Sequence, residues 1–360
     1  MTLNQRISAF DELGQFFNFL TREEQPKNEQ LLHKFLYWKE DANLACRDAE
    51  AHNNWFTQEN IHFAMQNWAD ALTEKNLSDW ITLYSLPDTP KNVGIIMAGN
   101  LPLVGFHDLL SVVLFGHRAL VKPSSKDEKL LDLVIHYLQS IDEEFKNRIQ
   151  KVERLENFDA VIATGSNNTA RYFEHYFSQV PHIIRKNRTS VAVLDGSESK
   201  EDLMRLGEDF FRYFGLGCRN VTKIYTQKET QIQELIEVIF PWGENIVQQT
   251  KYANNYDYNR AIYLLSKDKF YDNNFVLIKE DEALHSPIAV LHYELYDDLE
   301  DVKTTLKNHE EEIQCVVSKL NLDNRVDFGQ TQHPTLTDYA DGIDTCLLYT
   351  SPSPRDATLS

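Results

Sequence analysis

Apolar residues recur at three-to-four spacing through roughly the first ninety positions. Phe10, Leu13, Phe16, Phe17 and Leu20 form one such face, Leu31, Leu32, Phe35 and Leu36 a second, and Ile61, Met65, Trp68 and Leu72 a third. The pattern predicts amphipathic helices, ended by Pro87 and Pro90. Val93–Gly99 is then a short apolar run finishing in small residues, which suits a buried parallel strand. A helix over 106–115 and a strand over 119–123 follow, the strand closed by Pro123. Next come a helix over 125–138, a charged loop, a strand over 160–163 and a helix over 168–177. Such alternation predicts a doubly wound α/β domain.

A second α/β unit opens with a strand over 189–194 and a helix over 200–214. A strand over 221–226 and a helix over 230–239 come next. Apolar stretches at 261–265, 288–291 and 315–317 complete this half. No internal repeat and no long low-complexity linker interrupts the chain.

The chain has 360 residues, enough for a large core and more than one domain. Its net charge of −19 argues against a nucleic-acid backbone or an anionic membrane as main partner. The four cysteines, at 46, 218, 315 and 346, include no C-x-x-C pair, so a zinc site is not expected. Scattered thiols fit a reducing compartment better than a disulfide framework. No apolar run is long enough for a signal peptide or a membrane span. A cytoplasmic enzyme with no metal is the expectation. The stretch from Cys346 to Asp356 reads as the translation of a transposase-type sequencing adapter, with a Ser/Pro tail as the alternative. Residues from about 346 are therefore left out of the expected fold, and the native C-terminus is taken to be cut short.

Candidate chemistry centres on Cys218, in Phe214-Gly215-Leu216-Gly217-Cys218-Arg219-Asn220. A thiolate is the side chain best able to accept an acyl group at neutral pH. The glycines permit a tight turn and Arg219 can lower the thiol pKa. Taken alone, a cysteine is as readily a small core residue. Asn100, in Met97-Ala98-Gly99-Asn100-Leu101-Pro102, can aim an amide N–H at an oxyanion, or simply form a turn before Leu-Pro. Lys122, Ser124 and Ser125 follow the second strand. A lysine there can bind ribose hydroxyls or an adenosine 2′-phosphate, and serines in place of carboxylates leave room for that phosphate, which favours NADPH over NADH. Thr164, Gly165 and Ser166 end a strand and start a helix, where a pyrophosphate or an ordinary Ser N-cap can sit. No GxGxxG is present. His107 and Asp108, just past Asn100, are candidates for a proton donor or for structural roles. The basic run Arg185–Arg188 can touch a phosphopantetheine or a carrier, or be a solvated turn.

These four motifs, in this order and spacing, resemble the aldehyde dehydrogenase superfamily, and more closely the LuxC-type acyl-CoA reductases (long-chain acyl-protein thioester reductases). The resemblance extends over nearly the whole chain to about residue 345. It implies two Rossmann-like α/β domains, one for cofactor and one for catalysis, with a helical N-terminal region. The expected division is 1–190 for the helices plus NADP-binding domain and 191–320 for the catalytic domain. The remainder is 321–345 for a truncated C-terminal or oligomerisation segment, and 346–360 for the adapter-like tail.

By the same resemblance Cys218 matches the acyl-accepting nucleophile. Asn100 matches the oxyanion amide, with the Cys218 backbone N–H as partner. Lys122 and Ser124 match adenosine-ribose contacts, and Gly165 and Ser166 match the phosphate and nicotinamide-side turn. Two departures stand out. The superfamily's glutamate base belongs to a motif that here reads Ile183-Ile184-Arg185-Lys186-Asn187-Arg188-Thr189-Ser190, without a carboxylate. Water activation would then be slow, which suits a reductase. Where the superfamily has Glu-x-Phe-Gly-Pro, this chain has Ala283-Leu284-His285-Ser286-Pro287, and Ala283 cannot grip a ribose. The expected activity is NADPH-dependent reduction of an acyl thioester to an aldehyde through a cysteine acyl-enzyme. The donor is acyl-CoA or an acylated carrier or transferase protein, and a homo-oligomer is possible. The alternatives are aldehyde oxidation with NAD(P), and a cysteine acyltransferase or thioesterase.

Overall fold

The structure, a computed structural model, describes residues 1–350 apart from Lys27 and Asp88. Most of the adapter-like stretch, residues 351–360, lies outside the described residues. The chain forms two units, Met1–Lys186 with the segment from Thr335 onward, and Asn187–Pro334. The division falls at 186/187, and the second unit runs on to 334.

The first unit opens with four helices, α1 (Leu3–Arg22), α2 (Glu29–His52), α3 (Gln58–Ala71) and α4 (Glu74–Ile81). Thr2 and Gln5 form a capping box that starts α1. Its apolar stripe buries Phe10, Leu13, Phe16 and Phe17 completely, and Phe16 stacks on Tyr137 with ring centroids 4.3 Å apart. Of the expected second face only Phe35 is fully buried, and Leu36 is exposed.

The α/β part then runs β1 (Asn92–Ile96), α5 (Phe106–Leu114), β2 (Arg118–Lys122), α6 (Glu128–Ile141), α7 (Phe145–Arg148), β3 (Ile149–Lys151), β4 (Ala160–Thr164), α8 (Asn167–Tyr176) and β5 (His182–Arg185). The five strands lie in the order β3-β2-β1-β4-β5, and all are parallel. From β1 the chain winds outward to β2 and β3, then crosses back to place β4 on the other side of β1. The carboxyl ends of β1 and β4 therefore flank a topological switch point, where open α/β sheets bind ligands.

The second unit contains β6 (Thr189–Val193), α9 (Lys200–Phe211), a 3-10 turn (Arg212–Gly215), β7 (Val221–Thr226), α10 (Glu229–Ile239), α11 (Gly243–Ile246), α12 (Thr250–Ser266), β8 (Tyr271–Asp272), β9 (Leu277–Glu280), β10 (Val290–Leu295), α13 (Leu299–Asn308), β11 (Ile313–Val317) and β12 (Arg325–Val326). Its seven-stranded sheet has the order β12-β11-β6-β7-β10-β9-β8, parallel except for β8 against β9. All five residues of β6 are buried, as a two-sided parallel strand requires. The apolar stretch 261–265 lies at the end of α12, with Leu264 and Leu265 exposed.

The last described segment returns to the first unit. It ends in α14 (Leu347–Thr350), where Cys346 and Tyr349 are buried in that unit's core. The Tyr349 hydroxyl donates to Ser111 Oγ at 3.0 Å. Cys346, Leu348 and Tyr349, left out of the expected fold, thus pack against the core, while Leu347 is exposed. Among the described residues no helix is long and apolar enough to cross a membrane.

Candidate functional site

Of the residues singled out from the sequence, Asn100, Lys122, Ser124, Ser125, Thr164, Gly165 and Ser166 belong to the first unit and Cys218 to the second. The seven in the first unit lie along one edge of its sheet. β1 ends at Ile96, β2 at Lys122 and β4 at Thr164, and these three strands are adjacent and in register. The Met97 N–H donates to the Lys122 carbonyl at 3.1 Å, which extends the β1–β2 pairing by one bond. Beyond it Gly99 meets Ser124 so closely that a Cβ would lie 2.4 Å from Ser124 Oγ. Any larger residue at 99 would push the two loops apart.

Asn100 is exposed at the tip of this loop. The loop is tied down three residues later, where the Leu103 N–H donates to Asp127 Oδ2 at 2.7 Å and Leu103 itself has φ +56°. Asp127 is buried, its other carboxylate oxygen has no partner, and burial pushes its pKa well up. No sequence pattern signals this tether, because the contact joins two loops. Lys122 and Ser125 are exposed, while the half-buried Ser124 accepts from the Lys126 N–H at 3.3 Å. Thr164 and Gly165 close β4, and Ser166 caps α8 by accepting from the Thr169 N–H at 3.3 Å. A Cβ on Gly165 would lie 3.0 Å from Thr169 Cβ, so the turn hugs its helix.

His107 and Asp108 serve the fold. The His107 ring is packed by Trp68, Trp80 and Tyr339, its Nε2 is 3.0 Å from the Leu336 carbonyl, and burial lowers its pKa. Asp108 takes both oxygens' bonds from Arg185 Nη1 at 2.7 Å, and Arg185 Nη2 donates to Thr345. The basic run is engaged as well. Lys186 pairs with Glu174, and Arg188 donates to the carbonyls of Glu310 and Ile313.

In the second unit Cys218 sits in a half-buried turn between α9 and β7. The helix expected to run to Phe214 stops at Phe211, and Tyr213, Phe214 and Gly215 are all left-handed. Ser190 Oγ donates to the Cys218 carbonyl at 3.1 Å and accepts from the Cys315 N–H at 3.1 Å. Arg219 reaches Cys315 Sγ at 3.2 Å and the Thr331 carbonyl at 3.3 Å. Beside the turn is a small, partly open cleft of about 20 Å³. Phe210, Phe211, Phe214 and Gly215 line it on one side, Tyr252, Val276 and the 286–291 segment on the other.

The segment where a ribose-gripping glutamate was sought is held by its own bonds. The Ala283 carbonyl contacts His292 Nδ1 at 2.9 Å, the Leu284 carbonyl accepts from Thr222, and the Glu282 carbonyl accepts from the buried Lys223 at 2.7 Å. No cluster of His, Cys, Asp or Glu among the described residues has the makings of a metal site.

Residues 88–255 match the family described as acyl-CoA reductase (LuxC), a span that contains all four motifs and Cys218. No curated protein matches the chain. Several solved structures share the fold at low identity. An oxidoreductase from Marinobacter aquaeolei matches with a TM-score of 0.63 at 10% identity, over 93% of this chain and 79% of its own. An NAD-dependent aldehyde dehydrogenase from Sinorhizobium meliloti gives 0.63 at 11%, over 92% and 72%. The NAD+ complex of an aldehyde dehydrogenase from Bacillus cereus gives 0.61 at 11%, over 90% and 73%. The fold is therefore aldehyde-dehydrogenase-like, and residues 88–255 are similar to the LuxC acyl-CoA reductases.

Proposed function

We propose that this protein reduces an acyl thioester to the aldehyde with NADPH, through an acyl-enzyme on Cys218. The family match spanning Cys218 carries the reading. The Cys218 sulfur attacks the thioester carbonyl carbon, and the bond to the donor thiol breaks as the new C–S bond forms. The departing thiolate takes a proton from solvent. Asn100 supplies an amide N–H to the oxyanion, a contribution of roughly 3–4 kcal/mol to the transition state. With no carboxylate in the 183–190 stretch to activate water, the acyl-enzyme persists long enough to be reduced.

The edge of the first unit's sheet fits a dinucleotide. Glycines at 99 and 165 let the loops after β1 and β4 pack tightly on Ser124 and Thr169, beside the switch point. Lys122 would hold the adenosine ribose or its 2′-phosphate, with Ser124 and Ser125 offering hydroxyls, and Thr164, Gly165 and Ser166 would face the phosphates. Bound there, the reduced nicotinamide supplies the hydride. The adduct left on Cys218 then collapses, the C–S bond breaks and the aldehyde departs. The acyl group is delivered by CoA or by an acylated protein.

The experiment is NADPH oxidation by purified protein with a series of acyl-CoAs, with the aldehyde trapped as a hydrazone. Acyl-dependent oxidation that disappears in Cys218→Ala is expected. Undiminished oxidation in that variant would remove the mechanism, and acyl release without NADPH use would make the protein a thioesterase or acyltransferase instead.

A further inference from the structure

We propose that Asn220 is the positioning residue of the Cys218 turn: its buried amide locks the end of α9 to the Gly217 amide and so sets how the sulfur is presented. The inference rests on the reading of Cys218 as nucleophile.

The turn needs such a lock. Helix α9 ends at Phe211 and leaves its last carbonyls without helical partners. The chain then takes φ values of +56°, +60° and +76° at Tyr213, Phe214 and Gly215. Glycine adopts that region freely, but two successive aromatic residues do so only when the surroundings impose it. Asn220 is what imposes it. Its Nδ2 donates to the Arg212 carbonyl at 2.8 Å and lies 3.2 Å and 3.4 Å from the carbonyls of Asp209 and Phe210. On the other side its Oδ1 accepts from the Gly217 N–H at 2.8 Å. Its own N–H donates to the Gly217 carbonyl at 3.1 Å.

Asn220 has no exposed surface, so none of these bonds competes with water. One side chain thus closes the loop 212–217 at both ends, with Cys218 immediately after the clasp. Ser190 fixes the Cys218 carbonyl from β6. Only a short amide fits the site. Aspartate has the acceptor and lacks the donor, serine lacks the reach, and leucine has neither group.

The test uses Asn220→Asp and Asn220→Leu, with Cys218 acylation by an acyl-CoA in the absence of reductant followed by mass spectrometry. At pH 8 the aspartate variant places a carboxylate against three carbonyls, and its acylation rate is expected to fall at least tenfold below wild type. Once protonated, that side chain regains one O–H donor, so the ratio of variant to wild-type rate should recover as pH falls. The leucine variant should lose a similar factor at every pH. A folded variant that acylates at the wild-type rate, or an aspartate ratio flat with pH, would overturn the proposal.

Should both variants fail to fold, hydrogen exchange in the wild type decides. The Gly217 and Asn220 amides are expected to be protected like those of β7, and exchange at free-loop rates would refute the clasp. If wild-type Cys218 takes no acyl group at all, the nucleophile assignment fails, and the exchange result still judges the clasp separately.

Discussion

Cys218 and Asn100 are both placed by buried polar groups that a motif does not reveal. Asp127 tethers the Asn100 loop through Leu103, and Ser190 holds the Cys218 carbonyl. If Asn100 supplies the oxyanion contact, Asn100→Ala should lower kcat by about 10²–10³-fold with little change in KM, measured as steady-state acyl-CoA reduction. Lys122, exposed at the end of β2, tests the cofactor reading. A charged hydrogen bond to a 2′-phosphate contributes about 1.5–3 kcal/mol. Lys122→Glu should therefore cut the preference for NADPH over NADH by roughly tenfold or more, read from the ratio of kcat/KM values. An unchanged ratio would place the phosphate elsewhere.

Helices and strands with a full apolar period were legible, and those shaped by long-range contacts were not. β7 has the expected bounds, Val221–Thr226, because β-branched residues alternate along a strand closed by turn residues. α9 was read three residues too long, since Tyr213 and Phe214 continue the apolar spacing while their backbone is left-handed. The run 261–265 stood out only as an apolar stretch because short apolar runs do not declare their period, and it ends a largely polar helix. β3 and β5, three and four residues long, were too short to stand out.

Two polar contacts fix elements to one another and carry predictions. Asp108 and Arg185 join α5 to β5 as a buried ion pair, 3% and 6% exposed, so removing one partner strands the other charge. Asp108→Ala should destabilise the first unit by about 3–5 kcal/mol in urea unfolding. A surface-like effect below about 0.5 kcal/mol would contradict the pairing. Asp209 joins α9 to the 329–331 segment by accepting from the N–H groups of Gly329 and Thr331 and the Thr331 hydroxyl. Burial pushes its carboxyl from the ordinary 3.8 to about 6, against the pull of those bonds. The native state therefore holds this proton more tightly than the unfolded chain. The resulting stabilisation is complete below about 3.8 and lost as pH rises through about 6. Asp209→Asn should abolish that slope, and should cost about 1–3 kcal/mol because an NH₂ then faces an N–H. Unfolding midpoints measured from pH 4 to 7 check both.

Two α/β units joined at Lys186–Asn187, one ending its strands at candidate cofactor loops and the other carrying the candidate nucleophile, are what four separated motifs imply together. The motifs were readable because each pairs a strand end with glycine, serine or a charged residue. The tail was not: Cys346 and Tyr349 sit in a Ser/Pro-flanked stretch, yet both are buried in the first unit. The central claim is that the sulfur of Cys218 carries the acyl group. Its most direct measurement is the mass of the protein after mixing with an acyl-CoA and no reductant. A gain equal to one acyl group is expected, located on the peptide containing Cys218, released by hydroxylamine and discharged as aldehyde when NADPH is added. An acyl adduct on any other residue, or NADPH-dependent aldehyde formation with no adduct on Cys218, would contradict it.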